Sequence, residues 1–394
     1  MVAPVRVLQL HNYYALLGGE DTIADTEAEI LERAGHAVER LRARNPEGGG
    51  AAVRALARAP WSRAWYEQVS DRVAAEPFDV AHVHNTWYAM TPSVVHALKD
   101  RGVPVVMELQ NYRQICVKAQ LFRNGGYCTD CLGKHPWRGV VHRCYRSSAA
   151  QSAFVAATIT RGRARGTWDL VDRYVAPSSF VKSVFVEAGT APERITVKPS
   201  VVPDAGPRPE PPSGSATVLY AGRLHPEKGV DILLDAWREA KGDLGGLELE
   251  VIGDGPLRQQ LERVAPDGVR FAGHVTPAEL STRMLRARAL VFPSQWPETF
   301  GRTIVEGFSA GLPALATDFA GPGELARQLG PAWVTDPLRW ASALPRLLDA
   351  AAVDEAGRRA RELYEIHYNP EAGLRRLEAA YESVLRPAGA PVAA

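Results

Sequence analysis

Two cationic residues follow a predicted strand in the second half of the chain. The strand ATVLYAG ends at Gly222, Arg223 comes next, and Lys228 stands at the start of a predicted helix. Ligands of open parallel sheets bind at the carboxyl ends of the strands. Fixed cations beside a helix N-terminus suit a diphosphate, because free amides and the helix dipole add to their field. The pattern therefore predicts a diphosphate site; the alternative is a pair of solvated surface charges.

Two carboxylates lie around a later helix start. In ALVFPSQWPETFGRTIVE, Glu298 is in the loop after a strand and Glu306 is in the next helix. Carboxylates accept hydrogen bonds at both oxygens, so they could hold hydroxyl pairs on a donor sugar and on a ribose. Phe300 and Gly301 stand at the helix start, where free amides could face the same ligand. The alternative for Glu306 is an ordinary exposed helix position.

The first half of the chain has glycines and histidines in comparable places. Gly18 and Gly19 follow the first strand, RVLQLHNYY, where a glycine pair marks a turn or a close approach to a ligand. His82 and His84 in VAHVHN alternate along a strand, so both side chains face one side of the sheet. For His84 we consider a role near the ligand and a buried structural role.

All four cysteines of the chain fall in one stretch with the spacing C-x11-C-x2-C-x12-C. Such a pattern fits a tetrahedral structural zinc site, with free thiols or disulfides as the alternatives. Four thiolates leave no coordination position for water, so this zinc would not be catalytic. The candidate ligands are Cys116, Cys128, Cys131 and Cys144.

Strands and helices alternate on both sides of a proline-rich run, PDAGPRPEPPSGSA. Alternation of this kind predicts parallel sheets, and the proline-rich run predicts a linker. We therefore predict an α/β protein of two doubly wound domains, with a first long helix over DTEAEILERAGHAVERLRAR and a helix break at Asn369 and Pro370. The predicted boundaries are 1–205 for the first domain, 112–146 for its cysteine-rich insertion, 206–215 for the linker, 216–368 for the second domain and 369–394 for the C-terminal helix and tail.

Composition excludes some classes of partner. The chain has 46% hydrophobic and 23% charged residues with a net charge of +1, so we expect no nucleic acid to bind. No apolar run approaches the roughly 20 residues that span a bilayer, and we expect a cytoplasmic protein. The basic stretch RALARAPWSRAWYEQ, with Trp61 and Trp65, could make a peripheral membrane contact, which would favour a lipid-linked acceptor. The alternative is an amphipathic surface helix.

The segments AGRLHPEKG, VIGDGPLR, FAGHV and ETFGRTIVEGFSAGLP, in this order, resemble the donor half of the retaining family 4 glycosyltransferases. The resemblance extends over nearly the whole chain. It implies the GT-B fold of two Rossmann-like domains facing a central cleft, with the C-terminal helix returning to the first domain. The implied donor is a UDP-, GDP- or dTDP-linked sugar.

The resemblance also implies a role for each residue singled out above. The implied contacts are Arg223 and Lys228 with the diphosphate, Glu306 with the ribose, Glu298 with the sugar hydroxyls, the backbone around Gly273 and His274 with the nucleobase, Gly18 and Gly19 with the diphosphate from the first domain, and His84 near the cleft.

One position departs from the family pattern. Relatives carry a His followed by Asn or Asp after the strand that matches VPVVMEL, whereas this chain has Gln110 and Asn111. Glutamine can donate and accept hydrogen bonds but carries no charge. A role in orienting the donor sugar therefore remains for Gln110, and an acid-base role does not.

The chain has no Asp-x-Asp motif, so protein cations and helix amides must meet the charge on the departing diphosphate without a catalytic metal. The resemblance assigns Glu298 to the sugar hydroxyls rather than to a nucleophile. We therefore favour transfer on the same face of the sugar, with the leaving phosphate as the base. The acceptor would be a polysaccharide or lipid-linked sugar, or a specialised metabolite in antibiotic biosynthesis.

Two other functions compete with the transferase. A sugar-nucleotide epimerase can share the fold, and analysis of products from the donor alone would distinguish it. A catalytically silent nucleotide-sugar binding protein or partner subunit would explain Gln110 but would leave the donor residues without a purpose. Fold alone does not prove function, so the case depends on the site.

Overall fold

The structure is a computed structural model that describes residues 3–14, 18–46, 50, 54–55 and 58–385. The chain divides into two compact units. The first consists of Met1–Leu121, Cys128–Lys198 and Gly373–Ala394, and the second of Phe122–Tyr127 and Pro199–Ala372.

The first unit is built on six parallel strands in the order β2-β1-β3-β4-β7-β8. Two short strands between β4 and β7 in sequence, β5 and β6, form an antiparallel hairpin that is grouped with the second unit. Central strands such as β3 are buried along their whole length, as expected of a parallel sheet covered on both faces. The strands of this half are β1 (Arg6–Tyr13), β2 (Ala37–Arg44), β3 (Val80–Asn85), β4 (Val105–Glu108), β5 (Phe122–Arg123), β6 (Gly126–Tyr127), β7 (Arg173–Ala176) and β8 (Ile195–Val197).

The helices that accompany this sheet are α1 (Gly19–Arg33), α2 (Arg63–Ala75), α3 (Ser93–Asp100), α4 (Arg138–Val141), α5 (Ala149–Ala164) and α6 (Ser179–Glu187). The single long helix predicted over DTEAEILERAGHAVERLRAR is wrong, because α1 ends at Arg33 and HAVERLRAR contains β2. Gly35 has φ +91°, a left-handed conformation that ends helices. The charged, partly exposed pattern of β2 reflects its place at the edge of the sheet, which hid the alternation expected of a strand.

The second unit repeats this architecture with six parallel strands in the order β11-β10-β9-β12-β13-β14. Its strands are β9 (Thr217–Ala221), β10 (Glu248–Ile252), β11 (Val269–Gly273), β12 (Ala289–Phe292), β13 (Ala314–Thr317) and β14 (Val334–Thr335). Its helices are α7 (Val230–Ala240), α8 (Arg258–Val264), α9 (Pro277–Met284), α10 (Arg302–Ser309), α11 (Ala320–Arg327), α12 (Trp340–Ala343) and α13 (Ala350–Leu363). The predicted class, an α/β protein with two doubly wound sheets, is confirmed.

The last helix, α14 (Pro370–Leu385), packs on the first unit. Leu377 and Tyr381 are buried there among sheet residues that include Val7 and Val80. A single π-helical turn over Tyr364–Tyr368 separates α14 from α13, which confirms the predicted break at Asn369 and Pro370. The predicted return of the C-terminal helix is also confirmed. Among the described residues, no helix combines the length and the apolar character needed to span a bilayer.

Candidate functional site

An ion pair between Lys228 and Glu298 lies at the carboxyl ends of β9 and β12. These strands are neighbours in the second sheet, which brings together segments 70 positions apart. Lys228 Nζ donates to Glu298 Oε1 at 2.7 Å, and the side chains are 15% and 11% exposed. The ammonium also lies 5.5 Å from the centre of the Trp296 ring. Because the pair is largely screened from water, its charges act more strongly on a ligand than surface charges do.

Near this pair, glycines occupy positions where a side chain would not fit. A Cβ on Gly229 would stand 2.2 Å from the Pro293 oxygen, and one on Gly253 would stand 1.9 Å from the Gly222 oxygen. Gly229 has φ +68° and Gly253 has φ +134°, which other residues rarely adopt. A side chain at either position would therefore collide with the main chain of a neighbouring loop, and glycine lets these loops pack closely together.

Arg223 stands beside a carboxylate that sequence reasoning missed. Its guanidinium is 3.7 Å from Glu227, and the Arg223 side chain is 66% exposed whereas that of Glu227 is 3% exposed. His225 also pairs with Glu227 through Nδ1. The Tyr220 hydroxyl donates to the Arg223 carbonyl at 3.0 Å, and burial raises the pKa of that hydroxyl. The Arg223 carbonyl is thus hydrogen-bonded, while its guanidinium is exposed to solvent.

Glu306 is held by a partner on its own helix. Arg302 Nε donates to Glu306 Oε1 at 2.8 Å, and both side chains are less than one third exposed. Phe300 is buried, and Gly301 has φ +106° as α10 begins. Arg302 was not singled out from the sequence, although its spacing of four residues from Glu306 is the signal for such a pair.

The predicted nucleobase segment lies at the end of β11. Gly273 is buried with φ +72°, and its carbonyl accepts from Gly253 N at 2.8 Å. His274 is exposed next to it. The strand ends of β9, β10 and β11 are therefore linked by main-chain contacts, while the His274 side chain stays available.

In the first unit, His82 and His84 face the same side of β3, as predicted, with ring centres 4.3 Å apart. Both are buried. Tyr381 of α14 hydrogen-bonds His82 Nδ1 at 2.9 Å, and Gln9 lies 3.1 Å from His84 Nε2. Burial holds the pKa of His84 well below its usual value, so this ring is neutral.

A buried lysine sits among the carboxylates behind these histidines. Lys198 Nζ bonds Glu27 and lies 3.4 Å from Glu108 Oε1, and all three residues are nearly inaccessible to water. Burial alone would lower the pKa of Lys198, but the two carboxylates raise it overall. Lys198 and Glu108 end apolar strands, where a charge in the sequence signals a buried partner. Sequence reasoning missed all three residues.

The same region offers a set of potential metal ligands. Among the described residues, the set of three whose ligand atoms lie within 4.8 Å of one another is Glu27, His82 and His84. The ammonium of Lys198 already bonds Glu27 and would repel a second cation. We therefore assign this cluster no metal.

Gln110 faces a cavity in the first unit that His84, Trp87 and Arg113 also line. Gln110 Nε2 donates to Glu108 Oε2 at 2.7 Å. One N–H of its amide is thus engaged by Glu108, which leaves the second N–H and the carbonyl oxygen for a ligand. The buried ion cluster thus fixes the orientation of the residue that departs from the family pattern.

The start of α1 carries the predicted glycines. Gly18 N donates to Asp21 Oδ2 at 2.7 Å, and Gly19 begins the helix. Asn111 Nδ2 donates to Glu20 Oε1 at 2.9 Å, and burial raises the pKa of Glu20. Residues 15–17, the first part of the predicted turn, lie outside the described residues.

The four cysteines are reduced. Burial, with the nearby thiols of Cys116, Cys144 and Cys128, raises the pKa of Cys131 to about 11. The thiols are close enough to interact. In the described part of the chain, however, they do not belong to the set of three potential ligands whose atoms lie within 4.8 Å of one another. The zinc site stays a prediction.

The tryptophans of the predicted membrane stretch are partly buried. Trp65 packs against the main core of the first unit, and Trp61 lies against His96 with ring centres 5.2 Å apart. Residues 56–57 of this stretch lie outside the described residues.

Comparison with known proteins finds similarity to glycosyltransferases in the second half of the chain. Residues 205–363 match the model of the Glycosyl transferases group 1 family. A 2-deoxystreptamine N-acetyl-D-glucosaminyltransferase of Niallia circulans is 30% identical over 129 residues, 32% of this chain and 33% of that protein. An exopolysaccharide phosphotransferase, SCO2592 of Streptomyces coelicolor, is 33% identical over 146 residues, 35% of this chain and 15% of that protein. The chain thus spans a third or less of the length of these curated relatives.

Solved structures match over almost the whole chain. Anabaena Alr3699/HepE in complex with UDP and glucose superposes with a TM-score of 0.64 at 16% identity, covering 96% of this chain and all of that one. At this identity the match concerns the fold. Residues 205–363 are thus similar to the glycosyl transferases group 1, and the chain has the GT-B fold.

Proposed function

We propose that this chain is a retaining, metal-independent glycosyltransferase that moves a sugar from a nucleoside diphosphate to an acceptor hydroxyl. The observation that carries the proposal is the screened Lys228–Glu298 ion pair at the carboxyl ends of β9 and β12. A cation and a hydrogen-bond acceptor, held 2.7 Å apart, suit a ligand that carries a diphosphate next to sugar hydroxyls. Gly253 lets its loop pack directly against the main chain of Gly222, which fixes the strand ends beside that ligand.

Lys228 and Arg223 stabilise the leaving diphosphate in this mechanism. Negative charge grows on the phosphate oxygens as the sugar departs, and a preorganised cation lowers the energy of that state. Lys228 supplies a fixed charge, and the exposed Arg223 guanidinium can swing onto the phosphates. The absence of an Asp-x-Asp motif supports a mechanism without a catalytic metal.

Glu298 and Glu306 bind hydroxyl groups. Glu298 is already paired with Lys228, which suits an acceptor of hydrogen bonds from the sugar better than a nucleophile at the anomeric carbon. Glu306, held by Arg302, is assigned to the ribose, and the backbone at Gly273 to the nucleobase. The leaving phosphate then takes the proton of the acceptor, and the new bond forms on the face that the diphosphate leaves.

The acceptor is assigned to the cavity of the first unit. Gln110 lines this cavity, and besides orienting the donor sugar its amide can hydrogen-bond a hydroxyl of the acceptor. Burial holds the pKa of His84 well below its usual value, which makes the ring a weak base, and the Gln110 amide does not titrate, so we assign both residues to orienting a substrate. The names of the relatives support a polyhydroxylated acceptor, either a polysaccharide unit or an aminocyclitol.

Two measurements test this function. A screen of UDP-, GDP- and dTDP-sugars should find one donor that raises the melting temperature, because a ligand bound by the folded state alone stabilises it. With that donor, NMR of the product should show the anomeric configuration of the donor, and transfer should continue in excess EDTA. An inverted product, or a strict requirement for added magnesium or manganese, would overturn the mechanism. Interconversion of the donor without an acceptor would indicate an epimerase.

We also propose that the four cysteines hold one structural zinc ion. Their reduced state and the mutual influence of their thiols support the assignment. A thiol whose pKa is raised to about 11 must lose its proton when the metal binds, so zinc uptake should weaken as pH falls.

A further inference from the structure

The segment from Cys131 to Trp168 contains seven Lys and Arg residues and no Asp or Glu. In the whole chain the charges nearly cancel, with 46 basic and 45 acidic residues. Basic residues are therefore concentrated in this segment, and Asp130, immediately before it, lies 3.4 Å from His142 Nε2.

Helix α4 within this segment exposes large apolar side chains. Trp137 is 55% exposed and Val141 is 61% exposed, one helical turn apart. Arg138, His142 and Arg143 beside them are exposed as well. An exposed tryptophan flanked by basic residues is typical of a surface that enters the interface of a lipid bilayer.

Helix α5 continues the same character. Apart from Ala149, its exposed positions recur every three or four residues and lie on one face: Ala150, Ala153, Phe154, Ala157, Arg161 and Ala164, and the exposed Arg165 follows the end of the helix. Phe154 is 42% exposed. This face consists of small residues and one aromatic residue, with basic residues at one end, so few polar groups would be desolvated if it contacted an apolar partner.

The two helices form one body. Arg163 of α5 donates to the Lys134 carbonyl at 2.6 Å, and Tyr145 N donates to Ser152 Oγ at 2.9 Å. Tyr145 packs with Val155 in a shared core cluster. We call the exposed side chains of residues 134–143 and of α5 the basic face.

We propose that the basic face docks the protein on an anionic lipid bilayer. Each basic residue near such a surface contributes attraction that falls off within a Debye length. Trp137 and Val141 would enter the headgroup region and remove apolar area from water. A soluble polyanion would pair with the arginines but would not remove the Trp137 and Val141 side chains from water.

Vesicle flotation tests the proposal on the full chain. The protein should float with vesicles of phosphatidylglycerol mixed with phosphatidylcholine, and not with phosphatidylcholine alone. The double variant Trp137→Ser/Val141→Ser should bind the anionic vesicles about tenfold more weakly. The matched control is Val264→Ser/Leu338→Ser, which removes two exposed apolar side chains from the second unit and should bind like the unchanged protein.

Two further readouts decide between partners. Arg138→Glu/Arg143→Glu should also lower binding by about tenfold or more, because each charge near the surface contributes to attraction. Melting temperatures should match among all variants, since the four changed residues are exposed. Equal flotation of the Trp137→Ser/Val141→Ser variant and the unchanged protein would overturn the proposal. So would tight binding to a soluble anionic polysaccharide that does not depend on Trp137 and Val141.

Discussion

Both sheets have charged residues near the carboxyl ends of their strands, but the solvent exposure of these residues differs between the two units. In the second unit, Lys228 pairs with Glu298 and both keep more than a tenth of their side-chain surface exposed. In the first unit, Lys198 lies between Glu27 and Glu108, and none of these side chains is more than 5% exposed. One lysine can therefore reach a ligand, and the other only its neighbours.

This difference in exposure distinguishes charged residues that can bind a ligand from charged residues that stabilise the structure. A charge that retains access to solvent can exchange its partner for a phosphate, whereas a buried charge depends on the partners it has. Gln110 connects the buried cluster to the cavity through its hydrogen bond to Glu108. In the first unit, the buried ion cluster thus positions the uncharged Gln110.

The strongest test of the comparison is Lys198→Ala. Its removal leaves two buried carboxylates side by side without a cation, so we expect a loss of about 3–5 kcal/mol in unfolding free energy. Lys99→Ala is the matched control, because Lys99 forms a partly exposed pair with Asp172 in the same unit and should cost about 1 kcal/mol or less.

Calorimetry on both variants measures the difference. Should Lys198→Ala fail to fold, the triple variant Lys198→Met/Glu27→Gln/Glu108→Gln should recover stability, since it leaves no unpaired charge. Equal melting temperatures for Lys198→Ala and Lys99→Ala would show that the buried cluster does not stabilise the first unit more than a partly exposed ion pair does.

The converse test is Lys228→Ala. We expect a loss of turnover of about 100-fold, close to 3 kcal/mol of transition-state stabilisation, with an unchanged melting temperature. Lys241→Ala removes another lysine–carboxylate pair of 2.7 Å, on the surface of the same unit, and should leave turnover unchanged. Near-normal turnover in Lys228→Ala would remove the diphosphate assignment.

The cysteine loop gives a smaller expected effect. Cys128→Ser should lower the zinc content from about one ion per chain and lower the melting temperature by about 5 °C. Thr129→Ala, at the exposed neighbouring position, should change neither value. Protein purified without a His tag is needed for elemental analysis. If the unchanged protein holds no zinc and all four thiols react freely in the native state, the assignment fails.

The smallest effect is expected at Glu306. Loss of a charged hydrogen bond to the ribose in Glu306→Ala should weaken the binding of the nucleoside diphosphate about tenfold. Glu365→Ala removes a similar Arg–Glu pair, Arg361 with Glu365 at the same spacing of four residues, and should bind normally. Calorimetric titration that gives the same affinity for both variants would contradict the ribose contact.

Sequence patterns predicted the strand and helix alternation because each element carries its own periodicity. They failed at β2, where an edge position exposes both charged and apolar residues. They also could not give the order of the strands, since β9 meets β12 only through tertiary contacts. Local signals therefore predicted the elements, and packing decided their neighbours.

The candidate site shows the same limit. The two residues Lys228 and Glu298 were singled out for separate roles, but their pairing depends on the adjacency of two strands. Glu27, Glu108 and Lys198 come from α1, β4 and the end of β8, so no single window of sequence contains more than one of them. A lysine ending the apolar strand ITV was the available signal.

The C-terminal helix also sets an order of assembly. During synthesis the ribosome completes Pro199–Ala372 before it makes Leu377 and Tyr381, which fill the core of the first unit. The apolar residues beside Val7 and Val80 in the part that is translated earlier therefore remain uncovered until α14 has been made. A nascent chain stalled before Tyr381 should be cut by protease in its first half while its second half resists.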